Sequence, residues 1–186
     1  GSTLVAAFTA ASKIEQVVTQ AYVAMGTTMA TYGAQNIGAG NVPRIRQGFK
    51  ACTILGIGYS LVAATFIMTV GKYMTYLFVS EDVDIIMSSV DIYLKCIGFF
   101  FIPLAIVNIY RNGIQGLGYG LLPMMAGVAE LVGRGAVAVA AAKQRSYTGV
   151  CMASPAAWIL AGSLLLVMYY YIMKVDMKKI FGKSSS

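Results

Sequence analysis

Five long stretches of mostly apolar residues alternate along the chain with short polar segments. About 20 apolar residues in a helix are needed to cross roughly 30 Å of hydrocarbon. Spans of that kind are predicted from near Leu4 to Ala34, Ala51 to Val79, Ile85 to Leu117, Leu121 to Ala142 and Cys151 to Met173. The connections are the segment Gln35 to Arg44, then Ser80-Glu81-Asp82-Val83-Asp84, Gly118-Tyr119-Gly120, and Lys143 to Gly149. The pattern predicts an all-α integral membrane protein of about five transmembrane helices, residues 1–175, with a basic, Ser-rich cytoplasmic tail at 176–186. Pro103, inside the third span, is expected to kink it, because proline lacks an N–H and crowds the preceding turn.

Two of the connections share the pattern G-x-Q-x-[IL]-G-x-G-x-[VL]-P, once from Gly33 to Pro43 and once from Gly113 to Pro123. Glycine allows the positive φ that ends a helix, and proline is tolerated in the first turn of the next. Two tight helix joints converging on one chemistry and an internal repeat of the kind transporters carry both account for the match. The run Gly133 to Ala142 in the fourth span is nearly all small residues, a thin face that lets another helix pack closely where lipid removes the hydrophobic drive.

Composition sharpens this picture. Of 186 residues, 58% are hydrophobic and only 11% charged, and mean hydropathy is +0.72; an ordinary soluble domain carries roughly 25% charged residues. A soluble domain is therefore excluded. With no His, imidazole bases and His-containing metal sites are excluded too. Cys52, Cys96 and Cys151 are widely spaced and apolar in context, which fits neither a disulfide framework nor a metal knuckle. The net charge of +7 lies between apolar runs, which points to a bilayer and not to nucleic acid.

The distribution of cations sets an orientation. The first connection and the tail lie on one side, with Arg44, Arg46, Lys50, Arg111, Lys174, Lys178, Lys179 and Lys183. Lys72, Lys95, Lys143 and Arg145 lie on the other, beside Glu81, Asp82 and Asp84. The positive-inside rule then makes the tail cytoplasmic and the N-terminus external. Tyr169, Tyr170, Tyr171 and Lys174 are expected to anchor the inner interface. An external N-terminus needs an earlier span or a signal, and Gly1-Ser2-Thr3-Leu4 is neither, so the chain is expected to be the C-terminal part of a longer protein.

Charges within the spans are the candidate chemistry, since each costs several kcal/mol unless paired or wetted. Glu130 and Arg134 are four apart and share a helix face. A cavity or ion-coupling site and a neutralised structural pair are both open for them. Lys13 and Glu15 are two apart, do not face each other, and each needs a partner elsewhere. Asp91 and Lys95 form a candidate interfacial pair. Asn108, with Gln16, Gln20, Gln35, Asn36 and Gln115, could line a cavity. There is no convincing acidic dyad and no metal or cofactor motif, so an intramembrane enzyme has no support.

The run Ala30 to Asn41, containing Gln35, Asn36, Gly38 and Gly40 and followed by Arg44-Ile45-Arg46-Gln47-Gly48, resembles the multidrug and toxic compound extrusion (MATE) family. So do Tyr110 to Gly118 leading to Leu122-Pro123-Met124, and Ala153 to Trp158. The resemblance implies a twelve-helix transporter of two six-helix lobes, of which this chain supplies the last five helices. It further implies export of small organic cations and other drugs across the plasma membrane in exchange for Na⁺ or H⁺, and a missing N-terminal lobe as partner. It implies no cofactor beyond that coupling ion. Some members hold a cation between acids on the seventh and tenth helices. By the resemblance the seventh is expected to lie outside this chain, and Phe99 to Tyr110, the middle of the tenth, has no acid; Leu104 or Asn108 falls near the expected place. Gln115 stands where Arg is common. Gln35, Asn36, Gly38, Gly40 and Arg44 read as a structural turn. The alternative is a truncated, non-transporting membrane module that pairs with a complementary lobe or with itself.

Overall fold

The computed structural model describes residues 2–71, 73 and 83–177. Its helices are α1 (Ser2–Gly38), α2 (Val42–Thr69), α3 (Val83–Gly98), α4 (Phe101–Gly116), α5 (Leu121–Lys143), α6 (Tyr147–Cys151) and α7 (Ala153–Tyr171), which runs into a π-helical turn, Ile172–Asp176. No strand occurs among the described residues. Three segments are long and apolar enough to cross a membrane: Val42–Val70, Leu121–Lys143 and Tyr147–Val175. The pair α3 and α4 counts as a fourth if taken as one broken span. The fold is all-α and membrane-spanning.

The expected boundaries shift in several places. The first span becomes a 37-residue helix, about 55 Å at 1.5 Å per residue. It is not among the segments apolar enough to cross, because Lys13, Glu15, Gln16 and Gln20 dilute its first half and Thr, Gly and Gln its second. The second span starts at Val42, so Arg44, Arg46 and Lys50 stand on α2 and not in the connection. Arg46 pairs with a segment distant in sequence, its Nη2 donating to the Met173 carbonyl of the π-helical turn at 2.9 Å. The last connection folds partly into α6, whose first turn is capped by the Ser146 hydroxyl accepting from Gly149 N–H at 3.1 Å. Lys72, Ser80, Glu81, Asp82, Lys178, Lys179 and Lys183 lie outside the described residues, as does all of the expected tail beyond Met177.

The third span does not kink at Pro103; it breaks ahead of it. α3 ends at Gly98 and α4 starts at Phe101, the two axes differing by 55°. Pro103 is the third residue of α4. A continuous helix would need a bond from residue 103 to the Phe99 carbonyl, which proline cannot give, and its ring would clash there. The chain instead closes a turn from Phe100 N–H to Ile97 O (2.9 Å) and restarts with Leu104 N–H to Phe100 O (3.2 Å).

Helix α4 lies at the centre, touching α1, α2, α5 and α7. It is buried at Phe101, Leu104, Ala105, Val107, Ile109, Tyr110, Gly113 and Ile114, nearly all round its circumference. α1 meets it backbone to backbone. A Cβ on Gly116 would sit 2.2 Å from the Ala30 carbonyl oxygen, and one on Gly26 would sit 2.7 Å from that of Asn108. On the α2 side, Tyr22 of α1 donates to the Ser60 hydroxyl at 3.0 Å, and Ser60 in turn bonds the carbonyls of Gly56 and Phe101. Tyr169 was expected at the interface but packs inward, its ring 4.5 Å from Phe49 and 5.1 Å from Tyr110. Tyr170 and Tyr171 remain exposed, and Lys174 bonds the Tyr170 hydroxyl.

Helix α5 is peripheral. It rests on α6 and α7 and only lightly on α4. Its small-residue run packs in part: Gly133 approaches Leu160 and Ala157 of α7, while Gly135 faces open space. Apolar residues such as Leu121, Leu131, Val132 and Val139 are exposed, as a lipid-facing helix requires.

The Gly116 contact generates a test. Gly116→Leu is expected to lower the unfolding free energy of the full-length protein in mild detergent by at least about 2 kcal/mol, the upper range for overpacking a tight site. Gly135→Ala, with nothing within 4 Å, should leave the melting temperature within error of the parent.

Candidate ion and substrate cavity

Residues four apart on a helix share a face, and four helices use that spacing to line one space. Glu15 and Thr19 come from α1, Leu104 and Asn108 from α4, Glu130 and Arg134 from α5, and Ser154 and Trp158 from α7. Tyr93 of α3 and Arg111, one turn beyond Asn108, complete the wall of a cavity of about 440 Å³. Four of the five candidate residues, Glu15, Asn108, Glu130 and Arg134, therefore meet. Lys13 does not line the cavity and is exposed, because two residues turn a helix by about 200°. Of the neutral polar groups, Gln16 and Asn108 line it, whereas Gln20 and Gln35 are exposed outside it.

The acid–base pair predicted on α5 forms, Arg134 Nη2 donating to Glu130 Oε1 at 2.8 Å. A second guanidinium joins it: Arg111 Nη2 donates to Glu130 Oε2 at 2.5 Å. Each carboxylate oxygen is thus held by a charged donor, and the Glu130 side chain is only 15% exposed. Arg111 Nε is buried without a hydrogen-bond partner. Across the cavity, Tyr93 Oη donates to Glu15 Oε2 at 2.6 Å. No ion pair among the described residues reaches Glu15. Asn108 uses its Nδ2 on the Leu104 carbonyl at 3.0 Å. The remaining predicted pair, Lys95 with Asp91, closes at 2.6 Å with Lys95 half exposed, away from the cavity.

Arg111, counted above among the cations of the cytoplasmic side, stands inside α4, six residues before its cap, Leu117, and reaches Glu130. Tyr93 and Trp158 also went unnoticed as wall residues. The available signal was the polar stripe Asn108, Arg111, Gln115 at helical spacing on a segment otherwise apolar. Chemically, Glu130 is not a free counter-charge for a cation, since two guanidinium groups already share it. Glu15 is in no ion pair and is held by the neutral Tyr93 donor, with Arg134 within electrostatic reach.

The turn residues are structural in geometry. α1 ends with Gly40 N–H bonding Ile37 O and Asn41 N–H bonding Asn36 O, with Gly40 at φ 67°. Asn41 then caps α2 through Arg44 N–H at 3.2 Å. Asn36 is buried and donates to the Tyr32 carbonyl, while Gln35, Gly38 and the Arg44 side chain are exposed.

Comparison with known proteins decides the family: the MatE model matches residues 1–140. The chain belongs to the MatE family. It is also similar to a probable multidrug resistance protein, YpnP, of Bacillus subtilis (strain 168), with 35% identity over 114 residues. That stretch covers 61% of this chain and 25% of the relative, so the chain spans about a quarter of the length of the curated relative it matches. No solved structure matches. Membership in this family of membrane transporters accords with the apolar helices and with an interior polar cavity.

The shared carboxylate predicts strong coupling between α4 and α5. In a double-mutant cycle of Arg111→Gln and Glu130→Gln, read by thermal unfolding of full-length protein, the coupling energy is expected to be about 1–3 kcal/mol. A cycle of Lys95→Gln and Asp91→Asn should give under about 1 kcal/mol, as partly exposed pairs do.

Proposed function

We propose that this chain forms the C-terminal lobe of an ion-coupled multidrug exporter of the plasma membrane, with Glu15 as the coupling acid. The observation that carries the reading is a polar cavity between the helices, which Glu15, an acid outside any ion pair among the described residues, lines beside Tyr93. Family membership and the relative described as a probable multidrug resistance protein supply the substrate class. Drugs, organic cations above all, would exchange against H⁺ or Na⁺, and the N-terminal lobe would form the opposite wall of the transport path. One lobe alone cannot alternate access, so the activity belongs to the assembled transporter. The tail and the turn at Gly38 to Asn41 would face the cytoplasm, which the exposed Arg44 and Lys50 favour.

A carboxylate in a low-dielectric cavity is costly when charged and unpaired. Taking up H⁺ or Na⁺ removes that cost, and an organic cation does the same, so the two compete for one acid. This competition is what antiport needs. Glu130, bracketed by Arg111 and Arg134, would hold α5 in place.

Export from everted vesicles containing the full-length protein tests the assignment. Glu15→Gln is expected to abolish gradient-driven efflux of a cationic dye, a loss of at least tenfold at equal expression. Glu130→Gln should slow efflux while leaving its dependence on the ion gradient intact. Undiminished efflux in Glu15→Gln would remove the acid from the mechanism. Loss of gradient dependence in Glu130→Gln alone would transfer the coupling role to Glu130.

A further inference from the structure

The charges that line the polar cavity cancel in number but not in position. Glu15 and Glu130 supply two negative charges, Arg111 and Arg134 two positive ones, and the other lining residues are neutral. Both guanidinium groups bond Glu130, Arg111 at Oε2 and Arg134 at Oε1. Glu15 is bonded instead by the Tyr93 hydroxyl. Arg134 acts on Glu15 through space, without an ion pair between them. The Arg134 side chain is 46% exposed and that of Arg111 30%, so Arg134 is the less covered of the two positive charges.

Counting charge constrains what the cavity accepts. With both acids ionised and no occupant, its walls are neutral. A proton on Glu15 leaves one positive charge in excess, and so does Na⁺ or a monovalent organic cation beside Glu15. These occupants are electrically alike, as exchange of one for another requires. A dication leaves two charges in excess within the same cavity of about 440 Å³. Its second charge finds no open acid there, because Glu130 is already bonded at both oxygens. Like charges brought together are how a site rejects a wrong partner, and an unbalanced charge between membrane helices is expensive.

We propose that Arg134 is a specificity-determining residue that restricts the polar cavity to monovalent cations. Glu15 attracts the first positive charge, and Arg134 repels a second. This filter deepens the export reading and rests on it, since it presupposes that drugs enter this cavity. Charge, not shape, sets the selection, so a neutral side chain at position 134 relaxes it and a cationic one preserves it.

The test is direct binding of two dyes to the full-length protein in mild detergent, read by fluorescence anisotropy. Ethidium and propidium share the phenanthridinium ring, and propidium adds a quaternary ammonium on its side arm. The parent is expected to bind ethidium about tenfold more tightly than propidium. Arg134→Gln, which leaves Glu130 on Arg111, should bring the two affinities within about threefold, chiefly by tightening propidium. Arg134→Met, neutral and of similar length, should do the same and serves if the Gln variant is unstable. Arg134→Lys should keep the parent's preference, which separates charge from the larger size of propidium and from any role in packing. Glu15→Gln should weaken ethidium about tenfold. Ethidium binding unchanged by Glu15→Gln would remove Glu15 from the export reading, while the Arg134 variants still decide the filter. Equal affinities in the parent, an undiminished preference in both neutral variants, or loss of preference in Arg134→Lys would each overturn the proposal. A parent that binds neither dye would overturn both.

Discussion

The approach of α1 to α4 is the contact on which the bundle depends. Lipid is as apolar as leucine, so helices in a membrane gain nothing by hiding hydrocarbon from each other. They gain by close packing and by satisfying polar groups. Gly116 against the Ala30 carbonyl and Gly26 against the Asn108 carbonyl bring the two backbones into direct contact. With α1 so close, α2 on one side and α7 on the other, α4 is enclosed. Its polar face, Asn108 and Arg111, then has no route to solvent or lipid except through the spaces that neighbouring helices leave open. The cavity follows from the packing: it lies where α1, α3, α4, α5 and α7 converge around a face that cannot be filled with hydrocarbon.

The two acids in that space occupy different electrostatic positions. A carboxylate shared by two guanidinium groups is held at both oxygens, and leaving either arginine unpaired costs several kcal/mol where solvent is scarce. Glu130 is therefore fixed in place and ties the peripheral α5 to the centre. Glu15 is hydrogen-bonded by the neutral Tyr93 hydroxyl and has Arg134 within electrostatic reach but not in an ion pair. A single cavity thus holds two acids in different settings, and the difference lies in the arginine contributed by α4.

That arginine marks the limit of what the sequence reveals. Within one helix, spacing is sufficient: Glu130 with Arg134 and Asp91 with Lys95 were legible because four residues always return to the same face. The all-α membrane fold was legible from apolar runs and sparse charge. The pairing of Arg111 with Glu130 depends on how α4 is rotated against α5, and hydrophobic periodicity on a helix that is buried nearly all round does not define a rotation. For the same reason the role of Tyr93 beside Glu15, set by the 55° break ahead of Pro103, could not be read from spacing, since a continuous third span would aim Tyr93 elsewhere.

The repeated turn carries the same lesson in the opposite sense, a visible pattern with less structure behind it. In the shared motif Gly38 corresponds to Gly118 and Gly40 to Gly120, yet the residues with positive φ are Gly40 (67°) and Gly118 (92°). The first helix runs two residues further into the motif than the second. Both ends close with the same pair of bonds: Gly118 N–H to Gln115 O and Tyr119 N–H to Ile114 O repeat the bonds at Gly40 and Asn41. A third helix end does so without the motif, at Arg145 with φ 50°. The glycines are thus explained by helix termination, which wants a left-handed residue wherever the chain must reverse. A motif with two glycines two residues apart offers two places to stop, and the two helices use different ones.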